Sequence, residues 1–357
     1  AILPAMPPRP PSLRPRRLGL ALIAATLAVL AGAVAYLMRD PTTRMLARRS
    51  RLAAVQEGAP QMVDGQWVRP VRLRAGSGLE VELLVRRPGE HGADGRGARE
   101  RRALVVILGG HNTGREAARL IPDTRGTVVA ALSYPYRGEH RLKGLAVLRY
   151  VPAIREAVLD APPAVMLALD YLLAQPDVDP RRVEGVGVSL GVPFVTIAGA
   201  LDERFTRVWA IHGGAGSYEP LEHNLRRNVP LAPARAAVAG LSTVLIAGPR
   251  IAAERWAGRI APRPFCMVNA VADERVPRPL AERLYASARA PKALAWVSGG
   301  HVRSRPEVVR GLVDLVLDRV VGPAADAAGG GSTRAATVYD PAAPCPGAVG
   351  PGVVARR

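Results

Sequence analysis

VEGVGVSLGVPF (183–194) places one hydroxyl, Ser189, between Gly187 and Gly191, with apolar residues on both sides. The run before it is strand-like and the run after it helix-like, so the serine sits at a seam. Two readings of that seam compete. In one, the chain turns so tightly that only glycine fits beside the serine, which is a nucleophile at the tip. In the other, Ser189 merely caps a helix. The pattern alone does not choose, because G-x-S-x-G arises by chance in glycine-rich chains, and this one has 36 glycines in 357 residues.

Working outward, apolar runs of the same kind recur. ALVVILGG (103–110), TVVAALSY (127–134), RVWAIH (207–212), PFCMVNA (264–270) and KALAWVS (292–298) read as strands buried on both faces. Helical stretches, notably Ala164 to Ala174 and Pro279 to Ala288, fall between several of them. This alternation predicts a mostly parallel sheet flanked by helices, with a right-handed crossover at each return. Ahead of it, WVRPVRLRA and GLEVELLVRRP, separated by Gly-Ser-Gly, predict a β-hairpin. PGEHGADGRGARERR (88–102) reads as a charged surface loop, and residues 217–262 as a small cap inserted over the sheet's edge.

In an open parallel sheet, functional groups collect past the carboxyl ends of the strands. Ser189 follows one such run, Asp273 follows PFCMVNA, and His301 follows KALAWVS behind two glycines. The order Ser, Asp, His is the one a hydrolase elbow requires. A serine hydroxyl is a weak nucleophile that needs a base, which His301 would supply; Asp273 would orient the imidazole. The backbone N–H of Leu190 and one from the glycine-rich turn after ALVVIL, at His111, would hold the developing oxyanion. Asn112 rivals His111 in that role, and Glu274 or Glu219 could replace Asp273 as the acid. Gly110, Asn112 and Tyr134 are candidate substrate contacts; Tyr136 reads as loop packing, and His212 as a hydrogen-bonded histidine near the cap.

These residues carry a resemblance. LVVILGGHN, DYLLAQPDVDPRRVEGVGVSLG, RPFCMVNAVADERVP and SGGH resemble the α/β-hydrolase superfamily, on the serine-dependent branch similar to dienelactone hydrolase and acetyl xylan esterases. The resemblance covers roughly residues 66–320. It implies a serine esterase with a Ser189–His301–Asp273 triad and no metal or organic cofactor. Two departures stand out: Val192 occupies a position where the family often has a second glycine, and Gly109 replaces the histidine that usually opens the oxyanion loop. A peptidase or acyltransferase on the same fold is the nearest alternative. A catalytically inactive, membrane-anchored binding protein is the alternative from another class.

The ends of the chain differ from this middle. Leu18 to Met38 is 21 residues without a charge, long enough to span a bilayer as a helix. A basic segment (1–17) precedes it and an arginine-rich linker (39–65) follows, so charge does not set its orientation. An uncleaved anchor with the catalytic domain (66–321) on the extracytoplasmic side is expected. A signal peptide cleaved near Ala33-Val34-Ala35, giving a secreted protein, is the alternative. Residues 322–357 have the composition of a disordered tail.

The net charge of +19 does not by itself point to nucleic acid. Of 49 basic residues only Lys143 and Lys292 are lysines, which reads as compositional bias, and aromatics amount to 4% with no basic run interleaved with them. A small-molecule ester is the expected partner. Cys266 reads as a small buried hydrophobe and is not expected to pair with Cys345; no Cys/His cluster has zinc spacing.

Overall fold

The computed structural model describes residues 15–89, 101–110, 113–139, 147–302 and 306–321. Most of the charged loop at 88–102, the tail from 322, and both His111 and Asn112 lie outside the described residues. The chain divides into two units between Arg39 and Asp40. The first contains helix α1 (Pro15–Leu37), whose side chains from Leu22 to Tyr36 are exposed. This is the segment expected to span a membrane; no single helix among the described residues is long and apolar enough to do so.

The second unit is built on one sheet. Its strands are β1 (Leu52–Glu57), β2 (Gln61–Val63), β3 (Gln66–Ala75), β4 (Glu80–Pro88) and β5 (Arg102–Leu108), then β6 (Val128–Leu132), β7 (Val178–Val188), β8 (Arg207–Ile211), β9 (Phe265–Ala270) and β10 (Lys292–Val297). They lie in the order β1-β3-β4-β6-β5-β7-β8-β9-β10, with β2 beside β3. The strands from β6 to β10 are mutually parallel, and the β3–β4 hairpin joins them antiparallel through β4. Alternate side chains of a strand face opposite ways, and β5 shows the consequence. Leu104, Val106 and Leu108 enter one core with helices α3 (Val147–Leu172) and α4 (Gly191–Leu201). Ala103, Val105 and Ile107 enter another with helix α10 (Pro306–Val321), while α9 (Arg278–Ser287), between β9 and β10, adds Ala281 and Leu284 to the first. Both faces are covered, which is why the parallel strands read as unbroken apolar runs.

Two expectations need correction. Residues 39–65 are not a linker: helix α2 (Thr42–Arg49), β1 and β2 are integral to the domain. β1 pairs with β3, and Arg48 and Arg49 bind Asp160 and Asp170 on α3, with shortest contacts of 2.5 and 2.6 Å. The partners are remote in sequence, so the local composition reads as unstructured. The insertion at 217–262 is helical as expected, and its first helix packs on the loop past β9, where His223 Nε2 lies 3.0 Å from the Glu274 carbonyl oxygen. Its helices α5 (Tyr218–Leu225), α6 (Ala232–Leu245), α7 (Gly248–Ile251) and α8 (Glu254–Ala257) leave and return between β8 and β9, which are neighbours inside the sheet. Finally, Cys266, fully buried on β9, takes part in a disulfide. Spacing along the chain does not signal that pairing.

Candidate active site

Ser189 occupies the turn between β7 and α4, and the two glycines around it answer to close backbone contacts. A Cβ on Gly191 would lie 2.0 Å from the carbonyl oxygen of Leu108. One on Gly187 would lie 2.8 Å from both the carbonyl oxygen of Gly191 and the Cα of Val192. Ser189 itself has φ +54, a left-handed conformation that costs a side-chain-bearing residue about 1–2 kcal/mol. It is held there by its N–H, which donates to Ile211 on β8 at 2.8 Å, and by its carbonyl, which accepts from the Val192 N–H at 3.1 Å. Val192, at the position where a second glycine is frequent in the family, is buried against Gly213, whose own Cβ would meet Val192 at 2.5 Å. The space surrendered at 192 is recovered at 213.

The structure brings Ser189, His301 and Asp273 together. Ser189 Oγ lies 2.8 Å from Nε2 of His301, and Nδ1 of His301 lies 2.9 Å from each carboxylate oxygen of Asp273. An ionised carboxylate accepts only, so Nδ1 carries the proton and Nε2 is the lone pair facing the serine hydroxyl. The side chains of His301 and Asp273 are 5% and 2% exposed, so this series of bonds runs largely outside bulk solvent.

The competing carboxylates are placed elsewhere. Glu274 Oε2 accepts from the backbone N–H of His301 at 2.8 Å, holding the loop that carries the imidazole. Glu219 pairs with Arg283 at 2.8 Å. Asp273 is separated from its neighbour by a local turn: its Oδ1 accepts the backbone N–H groups of Arg275 and Val276, each at 2.9 Å. Helix α5 braces that turn, since Asn224 donates to the Arg275 carbonyl at 3.1 Å.

One further group reaches Asp273. Nδ1 of His212, at the end of β8 with φ +51, lies 3.1 Å from Asp273 Oδ2. The Val302 N–H also approaches that nitrogen, at 3.2 Å. One nitrogen cannot accept the second bond while donating the first. The shorter contact, assisted by the carboxylate charge, assigns the proton to Nδ1. Nε2 of His212, buried and without a partner among the described residues, is then unprotonated and needs no acceptor. Burial alone would raise the pKa of Asp273. Bonds from His212, His301 and the backbone of Val276 and Arg275 outweigh it and hold the carboxyl well below the usual range. The sequence marks His212 as hydrogen-bonded but does not reveal its partner; its place at a strand end, like that of Ser189, is the available signal. His212, Asp273 and His301 together offer three ligand atoms within 4.8 Å, a spacing that would suit a metal ion. Their mutual hydrogen bonds account for the clustering.

Around the serine, Gly110 is adjacent: a Cβ there would sit 3.8 Å from that of Ser189. Tyr134 is not a cavity-lining residue. Its hydroxyl donates to the Gly109 carbonyl at 2.7 Å, and its ring packs edge-on against Phe194. Burial pushes this phenol up, so it remains a donor. Thr113 binds the Gly110 carbonyl through Oγ1 at 3.0 Å, so the carbonyls of Gly109 and Gly110 are both engaged. Leu190 is the N-cap of α4, at the end of the helix where backbone N–H groups lack intrahelical partners. An elongated cavity of about 540 Å³ opens at Ser189, His301 and Gly110.

By sequence the chain matches no protein-family model and no curated protein. By structure it matches acetyl xylan esterase 1 from Thermoanaerobacterium sp. JW/SL YS485, with a TM-score of 0.55 and 16% identity over 78% of this chain and 92% of that one. It also matches an acetyl xylan esterase from Paenibacillus sp. R4, with a TM-score of 0.53 and 18% identity over 76% and 92% of the two chains. At such identities the agreement is one of fold. That fold is the α/β-hydrolase fold.

Proposed function

We propose that the protein is a serine hydrolase that cleaves carboxylic esters through an acyl-serine intermediate. The observation that carries the reading is the unbroken hydrogen-bonded series Ser189–His301–Asp273 at the mouth of a cavity. Ser189 Oγ attacks the ester carbonyl while its proton passes to His301 Nε2. The oxyanion is held by the Leu190 N–H, with His111 assigned from the sequence as the second donor. The tetrahedral intermediate then collapses, the C–O bond to the alcohol breaks, and His301 protonates the leaving oxygen. Water repeats the sequence on the acyl-serine and releases the acid. Asp273 stays ionised throughout and stabilises the imidazolium. The test is a panel of nitrophenyl esters beside peptides of matched side chains. Ester turnover without peptide turnover is expected, and turnover of peptides alone would refute the ester assignment.

In this mechanism His212 is a positioning residue acting through Asp273. Removing it deprives a buried carboxylate of one charge-assisted donor, and His212→Ala should lower kcat/KM about tenfold. His212→Asn, whose amide can donate to the carboxylate, should restore the rate; a His212→Asn rate no better than that of His212→Ala would show that the donated hydrogen bond plays no part.

A further inference from the structure

The cavity at Ser189 runs down into the domain between the sheet and α10. Its sheet wall follows one face of the parallel strands: Gly109, Ile107 and Val105 step down β5, with Val186 of β7 beside Ile107 and Val129 of β6 beside Val105. From Gly109 to Val105 is a descent of about 13 Å at the usual strand rise. The opposite wall is a stripe of α10 at helical spacing, Val309, Leu312, Val313, Val316 and Leu317, which spans about 12 Å. The two lengths agree. The far end of α10 is fixed beside the start of β6, where Arg125 binds Asp314 at 2.8 Å and also pairs with Asp318. Leu317 and Val105 therefore lie at the blind end, and Ser189 and His301 at the open one.

The polar lining side chains, Thr113, Arg275, Ser189 and His301, belong to the turn after β5, the acid loop and the triad, all past the carboxyl ends of the strands. Along the strands and α10 the lining is aliphatic. A sugar or a peptide backbone placed there would leave its hydrogen-bonding groups without partners, at a cost that an alkyl chain does not incur. Voids of this size are uncommon in close-packed protein interiors. We infer that this channel is an acyl-chain site, and that the preferred substrates are esters of medium-chain fatty acids. With carbon–carbon bonds of about 1.5 Å laid in a zigzag, the channel accepts about eight to ten carbons. The inference rests on Ser189 being the nucleophile, because the acyl carbon must reach its Oγ while the chain descends.

A series of p-nitrophenyl esters from acetate to laurate, assayed on the full chain and on Ser189→Ala, tests it. With Ser189-dependent turnover, kcat/KM should rise by up to about fourfold per methylene until about eight to ten carbons and then level or fall. Val316→Trp places a ring in the lower channel and Leu312→Phe one above its midpoint. Each should reduce the octanoate-to-acetate ratio of kcat/KM at least tenfold, and a ratio is insensitive to the fraction of protein that folds. Ser189-dependent turnover whose kcat/KM stays flat or falls from acetate upward along the series would overturn the acyl-chain site while leaving the esterase intact. So would octanoate-to-acetate ratios unmoved in both variants. If no ester is turned over in a Ser189-dependent way, the esterase reading and this one fall together.

Discussion

Ser189→Ala is expected to lose about 10⁵- to 10⁶-fold in kcat toward any ester the protein hydrolyses, because the three side chains act as a unit. Among the described residues the hydroxyl that meets His301 Nε2 is that of Ser189, at 2.8 Å, and the imidazole is fixed by Asp273 and by the Glu274 bond to its backbone. The fold should be retained. The loss is of one small polar atom at a partly exposed tip, and alanine adopts the backbone there no less readily than serine. Thermal melting unchanged or slightly raised, together with abolished turnover, is the expected pair of results. Activity within tenfold of the parent would assign the chemistry to another group.

Gly191→Ala should be the most damaging conservative change in the domain. The new methyl would lie 2.0 Å from the Leu108 carbonyl oxygen and 2.9 Å from its carbon. Backbone atoms cannot rotate away as a side chain end could, so β5 and the start of α4 must separate. Overpacking of this kind costs about 3 kcal/mol, and for a domain of this size that is a fall of about 6–12 °C in melting temperature. Activity should fall beyond what unfolding explains, since the displaced pieces carry the Leu190 N–H and the Gly109–Gly110 turn. Gly240→Ala is the matched control. It lies within α6 with nothing near its Cβ position, and the exchange should be neutral or stabilising by up to about 1 kcal/mol. Equal melting temperatures for the two variants would contradict the proposed role of the elbow glycines.

Much of this site is legible in the sequence because each of its members lies just past a strand of the parallel sheet, and for Ser189 and Asp273 that strand is buried on both faces. Such strands announce themselves as continuous aliphatic runs, and the residues just past them lie at the functional edge of the sheet. The choice between Asp273 and Glu274 is not legible. Adjacent carboxylates are chemically alike, and only the turn closed by the Arg275 and Val276 N–H groups directs one to the imidazole and the other to a backbone amide. Helix α3 begins at Val147, although Pro162 and Pro163 suggest a start at Ala164. Burial of Leu159, Ala161 and Val165 in the core overrides the local penalty of proline. The segment before β3 is polar and arginine-rich, and its order depends on carboxylates more than a hundred positions away, a separation that no local pattern reports. The channel is illegible for a different reason: its aliphatic walls have the composition of a solid core, and only their spacing makes a void.

The covalent intermediate itself gives the most direct test. The full chain, treated with a fluorophosphonate or trapped with a slowly hydrolysed ester and then digested for mass spectrometry, should carry one adduct, on the peptide containing Ser189. The adduct should form much more slowly in His301→Ala and not at all in Ser189→Ala. An adduct on a different residue, or none from folded protein that still hydrolyses esters, would contradict the assignment of Ser189 as the nucleophile.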